Sequence, residues 1–433
     1  MEENKLKILI VGGGGREHAV GWKVAQSQRI EKIFFAPGNA GTAEIGENIP
    51  VSATDIPALL EFAKREGVGL TLALPDDPLA LGIVDEFKRA GLRIFGPTQY
   101  AARLESSKAF AKSFMEKYGL PTAKFKIFTD ADKAKEHLKS HSLPVVVKVS
   151  GLALGKGVFI CQTLEEAEDA VERIMVEKQF GESGNEIVIE EFLTGPEISI
   201  HAFSDGEHYS LFPAAQDHKR AGEGDTGPNT GGMGTVAPLP FVTSKILKEI
   251  EVRIVRPALV GMRVENSSFQ GVLYPGLILT EDGPKILEFN ARFGDPETQS
   301  YMRLLDSDIL DIIDACIDGT LDKTEINWKK ESACTVVLAS GGYPDKYEKG
   351  KVISGIEEAE KDERVKVFHA GTIKSGDGKL LTNGGRVLGV SATGANLEDA
   401  LKTAYDAVGK ISFEGMQYRR DIGKKSLLTF NNT

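Results

Sequence analysis

The stretch Val147-Lys148-Val149-Ser150-Gly151-Leu152-Ala153-Leu154-Gly155-Lys156-Gly157-Val158 sets a glycine-rich loop between two apolar runs, residues 144–149 and 158–162. It has the glycines and lysine of a Walker A loop without its spacing. Only three residues separate Gly151 from Gly155, Gly157 stands where a Ser or Thr is required, and residues 158–162 read as strand rather than helix. A glycine loop joining two strands can instead close over a triphosphate from above, with Lys156 supplying charge. Read alone, the segment also fits a glycine-rich hairpin with an exposed lysine.

The flanking sequence reads as a small separate lobe, residues 121–191. A helix from residue 106 ends near Gly119-Leu120-Pro121, strand-like pieces come next at 125–128, 144–149 and 158–162, a second helix spans 164–175, and a strand returns at 186–192 after a loop at 180–185. Upstream, apolar residues 7–11, a glycine run, an amphipathic 16–27, a strand at 32–36 and a helix at 58–66 alternate as they do in a parallel sheet. Further strands at 70–74 and 93–95 are each cut off by a proline, Pro75 and Pro97. In such a sheet, ligands bind at the carboxyl edge, which gathers residues 12–17, 36–41, 75–77 and 96–98. Residues 216–234 are glycine-rich and charged, with too little apolar content to pack as an element. Such a loop is functional or disordered. Strands at 334–339 and 386–392 flank a polar middle and lead to a helix at 397–410. The expected fold class is α/β, with α+β parts in a multidomain chain: a substrate-binding parallel-sheet domain 1–105, a central domain 106–326 containing the lobe, and a C-terminal α/β domain 327–433.

The chain has 433 residues and a formal net charge of −11. That balance argues against nucleic acid and anionic membrane surfaces as partners and requires small anions to be bound by local clusters. Cys161, Cys316 and Cys334 lie far apart, which indicates neither zinc nor a disulfide framework and fits a reducing compartment. The first residues enter an apolar strand rather than a signal-peptide core, and no apolar run is long enough to span a bilayer, so a cytoplasmic location is expected.

Three further segments carry chemistry. Val11-Gly12-Gly13-Gly14-Gly15-Arg16-Glu17-His18 reads as strand, glycine turn and helix start, where backbone N–H groups and the helix dipole favour an anion. A dinucleotide fingerprint would need glycine at position 17 and an acidic residue after the second strand, which ends instead in Ala36-Pro37-Gly38-Asn39. Phosphate is therefore the favoured guest, with a bare structural turn as the alternative. In Leu287-Glu288-Phe289-Asn290, strand alternation points Glu288 and Asn290 one way and Phe289 into the core. Two oxygens on one face suit magnesium, which prefers a few protein ligands completed by phosphates and water. Arg292, two residues on, adds a guanidinium suited to a carboxylate or a moving phosphoryl group. Taken singly, the same residues fit an edge strand with solvated polar groups. The mixed charges and small residues of 216–234 can wrap a polar substrate or belong to a disordered surface loop. His18, His201, His208 and His218 show no ligand spacing and read as ordinary histidines.

Taken together and in order, Gly14-Gly15-Arg16-Glu17-His18-Ala19, Ala36-Pro37-Gly38-Asn39-Ala40-Gly41-Thr42, Gln216-Asp217-His218-Lys219-Arg220, Asn229-Thr230-Gly231-Gly232-Met233-Gly234, residues 292–299 and Thr382-Asn383-Gly384-Gly385-Arg386 resemble the phosphoribosylamine–glycine ligase family of the ATP-grasp superfamily. The resemblance spans nearly the whole chain. It implies an ATP-grasp body with a mobile small lobe and nucleotide held between two antiparallel sheets. By position, Lys108 and Lys148 would contact phosphates, with Gly151, Gly155, Lys156 and Gly157 above them. Glu190, Glu191, Phe192 and Leu193 would line the adenine pocket and Glu197 would hold the ribose. Glu288 and Asn290 would hold Mg2+ or Mn2+. The phosphoribosylamine would lie against Gly14, Gly15, Arg16, Glu17, Asn39, Ala40, Gly41 and Asp76, while Asp217, Lys219, Arg220 and Arg292 would face the reacting glycine and amine.

The implied reaction activates glycine's carboxylate with the γ-phosphoryl of ATP, after which the ribosyl amine displaces phosphate. The alternatives are another ATP-grasp carboxylate–amine ligase and a non-catalytic nucleotide-binding protein. Ser150 and Leu154 depart from the family's usual residues, as do Leu74-Pro75-Asp76 and Gly13. Of these, Asp76 reaches one methylene less far than the usual Glu. The chain stops at Thr433, so a single activity is expected, in a monomer or alternatively a dimer.

Overall fold

The computed structural model describes residues 5–153 and 156–431, with side chains described as far as Leu428, so Leu154 and Gly155 lie outside the described residues. The N-terminal part is a five-stranded parallel sheet in the order Glu47–Asn48, Ile30–Pro37, Leu6–Gly12, Leu70–Ala73, Ile94–Phe95. The chain leaves Leu6–Gly12 in both directions across the sheet, so the carboxyl end of this strand is the switch point where an α/β sheet opens a crevice. Alternation sorts its side chains. Leu9 and Val11 pack with Leu59, Phe62 and Phe87 of the domain's own helices, whereas Ile8 and Ile10 join Phe293, Tyr301, Ile309 and Ile313 from the central body. The N-terminal sheet therefore shares a core with the body. The short strand Glu47–Asn48 is too brief and polar to show in the sequence pattern.

The lobe is an antiparallel sheet in the order Phe125–Phe128, Ile187–Glu191, Val145–Val149, Val158–Cys161, backed by the helices Ala131–Leu138 and Leu164–Val171. Its apolar core, which includes Val147, Ile174 and Ile189, is its own. Across from it stands a second antiparallel sheet made of Glu197–Ser199, Gln270–Thr280, Ala202–Asp205 and Tyr209–Leu211, with Gly283–Asn290 paired to Gln270–Thr280. The helix Lys108–Lys117 packs Phe114 and Met115 into the body core.

The segment 216–234, read from sequence as lacking elements, is structured. Gln216–Asp217 and Gly234–Ala237 join a sheet that continues through Ser332–Ala339, Arg386–Gly394 and Val365–His369, and Arg220–Gly222 pairs with Thr226–Asn229 as a hairpin. Backbone pairing and ion pairs hold it instead of apolar burial, which a hydropathy pattern does not report. The strand Val365–His369 lies within the polar middle of the C-terminal part, where the sequence pattern showed no strand. No helix among the described residues is long and apolar enough to cross a membrane.

Asn39 ties the N-terminal sheet to the C-terminal part. Its Nδ2 donates to Gly13 O (2.9 Å), Gly14 O (3.4 Å) and His369 O (2.9 Å), and its Oδ1 accepts from Gly41 N and Thr42 N. Asn39→Asp keeps the acceptor and replaces the donors with a carboxylate facing three carbonyls. It is expected to cost about 1–3 kcal/mol in urea unfolding; an unchanged midpoint would show that the clip adds nothing.

Candidate active site

A single cleft of about 1310 Å³ runs between the lobe, the body, the N-terminal sheet edge and the C-terminal part. Its inner end is built by alternation. On Val145–Val149, the residues Val145, Val147 and Val149 enter the lobe core, which turns Val146 and Lys148 into the cleft; on Ile187–Glu191, Ile187 and Ile189 go inward and Glu190 faces the cleft. Lys108 and Lys112 lie at i and i+4 on one helix face and enter from the opposite side.

These groups meet in a buried cluster. Glu190 bridges Lys148 and Lys112, the latter at 2.5 Å, and Lys148 also donates to Leu287 O at 3.1 Å. Burial opposes the charge on Glu190, but the two lysines hold it below the usual carboxylate range. Burial pushes Lys112 down to about 8 in spite of Glu190, and it lowers Lys108 as well. The resemblance assigns Glu190 to the adenine pocket; it lines the cleft with its carboxylate paired to the lysines, and Lys112 was not singled out because nothing local marks it. Glu191, Phe192, Leu193 and Glu197 lie further along the same wall.

Next along the cleft, Glu288 and Asn290 face it from Gly283–Asn290 while Phe289 packs into the body core. Glu288 pairs with Lys219 at 3.1 Å. Lys219, acting against burial and helped by Lys108 and Lys148, holds Glu288 down to about 2, so it presents an ionised oxygen at any ordinary pH. Asn290 Oδ1 accepts from Arg292 Nη2 at 3.2 Å. Among the described residues no group of three or more His, Cys, Asp or Glu side chains is placed to hold a metal. A carboxylate and an amide oxygen on one face are the donor set of a cation that takes its remaining ligands from phosphates and water, so magnesium fits here and a metal caged by protein does not.

At the far end Arg292 pairs with Glu105 at 2.8 Å, and Glu105 also accepts from Ala291 N at 2.8 Å. Arg292 Nε is buried without a hydrogen-bond partner. Arg386, from the C-terminal part, pairs with Asp295 at 3.0 Å and donates to Gly231 O at 2.6 Å. Glu297 Oε1 accepts from Tyr274 (2.6 Å) and Ser199 (3.0 Å). Burial and the neighbouring Glu297 carboxylate push Asp217 well above the usual range, against Lys219 and Arg386. Arg16, Asp76 and Arg220 also line the cleft.

Most of the other expected residues do not line the cleft, Lys156 and Gly157 excepted. Glu17 folds back onto its own helix start, accepting from Gly14 N (2.7 Å) and Arg16 Nε (2.7 Å), so the chain's own carboxylate takes one of the N–H groups read as a phosphate site. Gly14, Gly15, Asn39, Ala40 and Gly41 are not among the residues lining the cleft; Asn39 is committed to its clip on the Gly13, Gly14 and His369 carbonyls. Gly151 lies where a Cβ would meet Ser183, which makes it a packing glycine, whereas Gly157 lines the cleft. Lys156 donates to Pro344 O at 2.9 Å, across the cleft mouth, rather than standing free. Gly155 lies outside the described residues. Glu105, Glu297, Asp295 and Arg386 were missed as site residues. Asp295, Glu297 and Arg386 left a trace, within the stretches 292–299 and Thr382-Asn383-Gly384-Gly385-Arg386, whereas Glu105 left none.

Two antiparallel sheets facing across a lysine-lined cleft, with a carboxylate–amide pair on the body sheet, define the ATP-grasp class. Models of phosphoribosylglycinamide synthetase match in order, its N domain at residues 6–105, its ATP-grasp (A) domain at 106–298 and its C domain at 333–425. The chain belongs to the phosphoribosylamine–glycine ligase family. It is 48% identical to that ligase of Chlorobaculum tepidum over 98% of this chain and 100% of the relative. The solved phosphoribosylamine–glycine ligase of Thermotoga maritima matches with a TM-score of 0.85 at 37% identity, covering 96% of this chain and 100% of that one. The biotin carboxylase domain of the Hydrogenobacter thermophilus 2-oxoglutarate carboxylase, solved with MgADP, shares the fold at 16% identity and a TM-score of 0.71, covering 98% of each chain.

The depressed Glu288 carboxyl has a consequence for stability. Its stabilising charge is complete above its ordinary value of 4.5 and is lost as pH falls toward about 2. The stability gap between the native chain and Glu288→Gln is therefore expected to narrow between about pH 6 and about pH 3 in denaturant titrations. A gap that is constant over that range would mean the carboxyl is not held low.

Proposed function

We propose that this chain joins glycine to 5-phosphoribosylamine using ATP, giving glycinamide ribonucleotide, ADP and phosphate in purine synthesis. The observation that carries this reading is that one cleft is lined by all the groups this chemistry needs: Glu191, Phe192 and Leu193, which we assign to adenine, Glu197 to the ribose, Lys108 and Lys148 to the phosphates, Glu288 and Asn290 to the metal, and Arg292, Asp217, Lys219 and Arg220 to the reacting glycine and amine.

Glycine's carboxylate is a poor electrophile, so it first needs a leaving group. Its oxygen forms a bond to the γ-phosphorus as the bond from that phosphorus to the β-bridging oxygen breaks, and ADP leaves. Lys108 and Lys148 stabilise the charge that moves. Magnesium, or manganese, when bound supplies further neutralisation of the phosphate oxygens. The buried, unpartnered Nε of Arg292 is a place for an acceptor oxygen of the activated glycine. The lone pair of the phosphoribosylamine nitrogen then attacks the acyl carbon of glycyl phosphate, the carbon–oxygen bond to phosphate breaks, and the nitrogen loses a proton. Asp217, which lines the cleft beside Lys219 and Arg386, is the residue we assign to take that proton. Arg16 and Asp76, at the carboxyl edge of the parallel sheet, receive the ribose phosphate part. The lobe, residues 121–191, has its own core and closes over the nucleotide, which keeps water from the acyl phosphate.

We take the chain to act in a reducing cytoplasm, and Cys161, Cys316 and Cys334 are buried free thiols. A coupled assay with phosphoribosylamine generated in place is expected to show ADP release that requires both glycine and the amine. Release with another acid, or without the amine, would overturn the assignment.

Arg16 tests the two-ended layout. Its Nη1 donates to Phe293 O at 3.0 Å and its Nε is spent on Glu17, so it is held rigidly at the substrate end. Arg16→Ala is expected to raise the apparent KM for phosphoribosylamine roughly tenfold or more while changing that for ATP little. The reverse selectivity would place nucleotide at the wrong end of the cleft.

A further inference from the structure

Asp217, Lys219 and Arg220, three of the groups assigned to the reacting substrates, sit on a segment with little apolar anchorage of its own. Arg419, only 1% exposed, is buried beneath it. Its Nη1 donates to Arg220 O at 3.1 Å and pairs with Asp225 at 2.8 Å, while Nε and Nη2 grip both oxygens of Asp421 at 2.8 Å each. Asp421 in turn accepts from Gly224 N at 2.8 Å. Two residues further on, Gly423 N donates to His218 Nε2 at 3.0 Å, and Ser426 Oγ donates to Gln216 Oε1 at 2.7 Å.

These contacts fix the tautomer of His218. With Nε2 accepting, Nδ1 must carry the proton it gives to Gly234 O, 3.0 Å away, and burial pushes the ring down to about 4, which keeps it neutral. Residues 216, 218, 220, 224 and 225 are thus each held by a side chain or N–H from residues 419–426. A guanidinium this deeply buried loses its hydration, and these charge-assisted bonds are what offset that loss.

We propose that residues 419–426 form a strap that sets the position of the Gln216–Asp217 strand and the Arg220–Gly222 hairpin, with Arg419 as a positioning residue for the chemistry at Asp217 and Lys219. The proposal rests on the ligase function for what those two side chains face, and on geometry alone for what holds them. Arg419 touches no reacting atom; it acts through the Arg220 backbone.

The test compares Arg419→Met and Arg419→Lys with the native full chain. In Arg419→Met, amide exchange at residues 219–230 is expected to speed up roughly tenfold while the lobe keeps its protection. The apparent KM values for glycine and phosphoribosylamine should rise roughly tenfold, with the Kd of a non-hydrolysable Mg-ATP analogue changed by less than about twofold. Arg419→Lys, which keeps one charged donor, should recover part of both effects. Unchanged exchange at 219–230, or a nucleotide Kd that weakens in step with the KM values, overturns the proposal. If Arg419→Met does not fold, Asp421→Asn loosens the same grip from the other side and is read by the same two measurements. A native chain that releases no ADP with these substrates sinks the functional reading but leaves the exchange comparison to decide the strap.

Discussion

The carboxylate of Glu190, buried between Lys112 and Lys148, is the constraint on which the nucleotide half of the cleft depends. Burial lowers Lys108 and Lys112, and the neighbouring Lys148 adds its repulsion. One shared carboxylate offsets that tendency, and withdrawing it from such a buried cluster would cost about 3–5 kcal/mol. Lys108, Lys112 and Lys148 meet Glu190 and Glu288 there, so cations gather at this spot in a chain whose net charge is −11. In the proposed reading, that local gathering gives a triphosphate its reason to enter.

The same device recurs toward the substrate end, where Lys219 has Glu288, Arg292 has Glu105, Arg386 has Asp295 and Arg16 has Glu17. Each carboxylate aims its cation before any substrate arrives, which removes part of the ordering cost of binding. The pairs also have a chemical cost, since an incoming carboxylate or phosphate must share a cation that is already neutralised. Arg292 resolves this by geometry. Its Nη2 is committed to Glu105 and Asn290, and its Nε is left buried and unpartnered.

What the sequence made legible was whatever depends on period and turn chemistry. Alternation alone put Glu288 with Asn290 on one face of their strand, and the strand–helix rhythm located the carboxyl edge of the parallel sheet at residues 12–17, 36–41, 75–77 and 96–98. What stayed hidden was pairing across long separations. Glu105 reads as one more acidic residue near a helix end until Arg292 is brought beside it, 187 positions later. Glu17 and Asn39, which the resemblance assigns to the phosphoribosylamine, are also used by the chain to satisfy its own backbone, a second role that local sequence does not show. The hairpin at 220–229 escaped notice because ion pairs to a segment some two hundred residues away hold it in place of apolar burial.

The distribution of cores then explains which parts can move. The N-terminal sheet shares apolar side chains with the body, and the C-terminal strands share theirs with it too, so displacing either would expose buried surface at roughly 25 cal/mol per Å². The lobe's core closes on itself, and its described links to the rest of the chain include polar contacts such as Lys148 to Leu287 O, Glu190 to Lys112, and Lys156 to Pro344 O. Contacts of that kind can be exchanged for contacts to phosphate at little net cost. On the proposed layout, the elements assigned to the substrates are fixed by apolar burial and the contacts from residues 419–426, while the lobe assigned to the nucleotide is held in part by polar contacts that phosphate could replace.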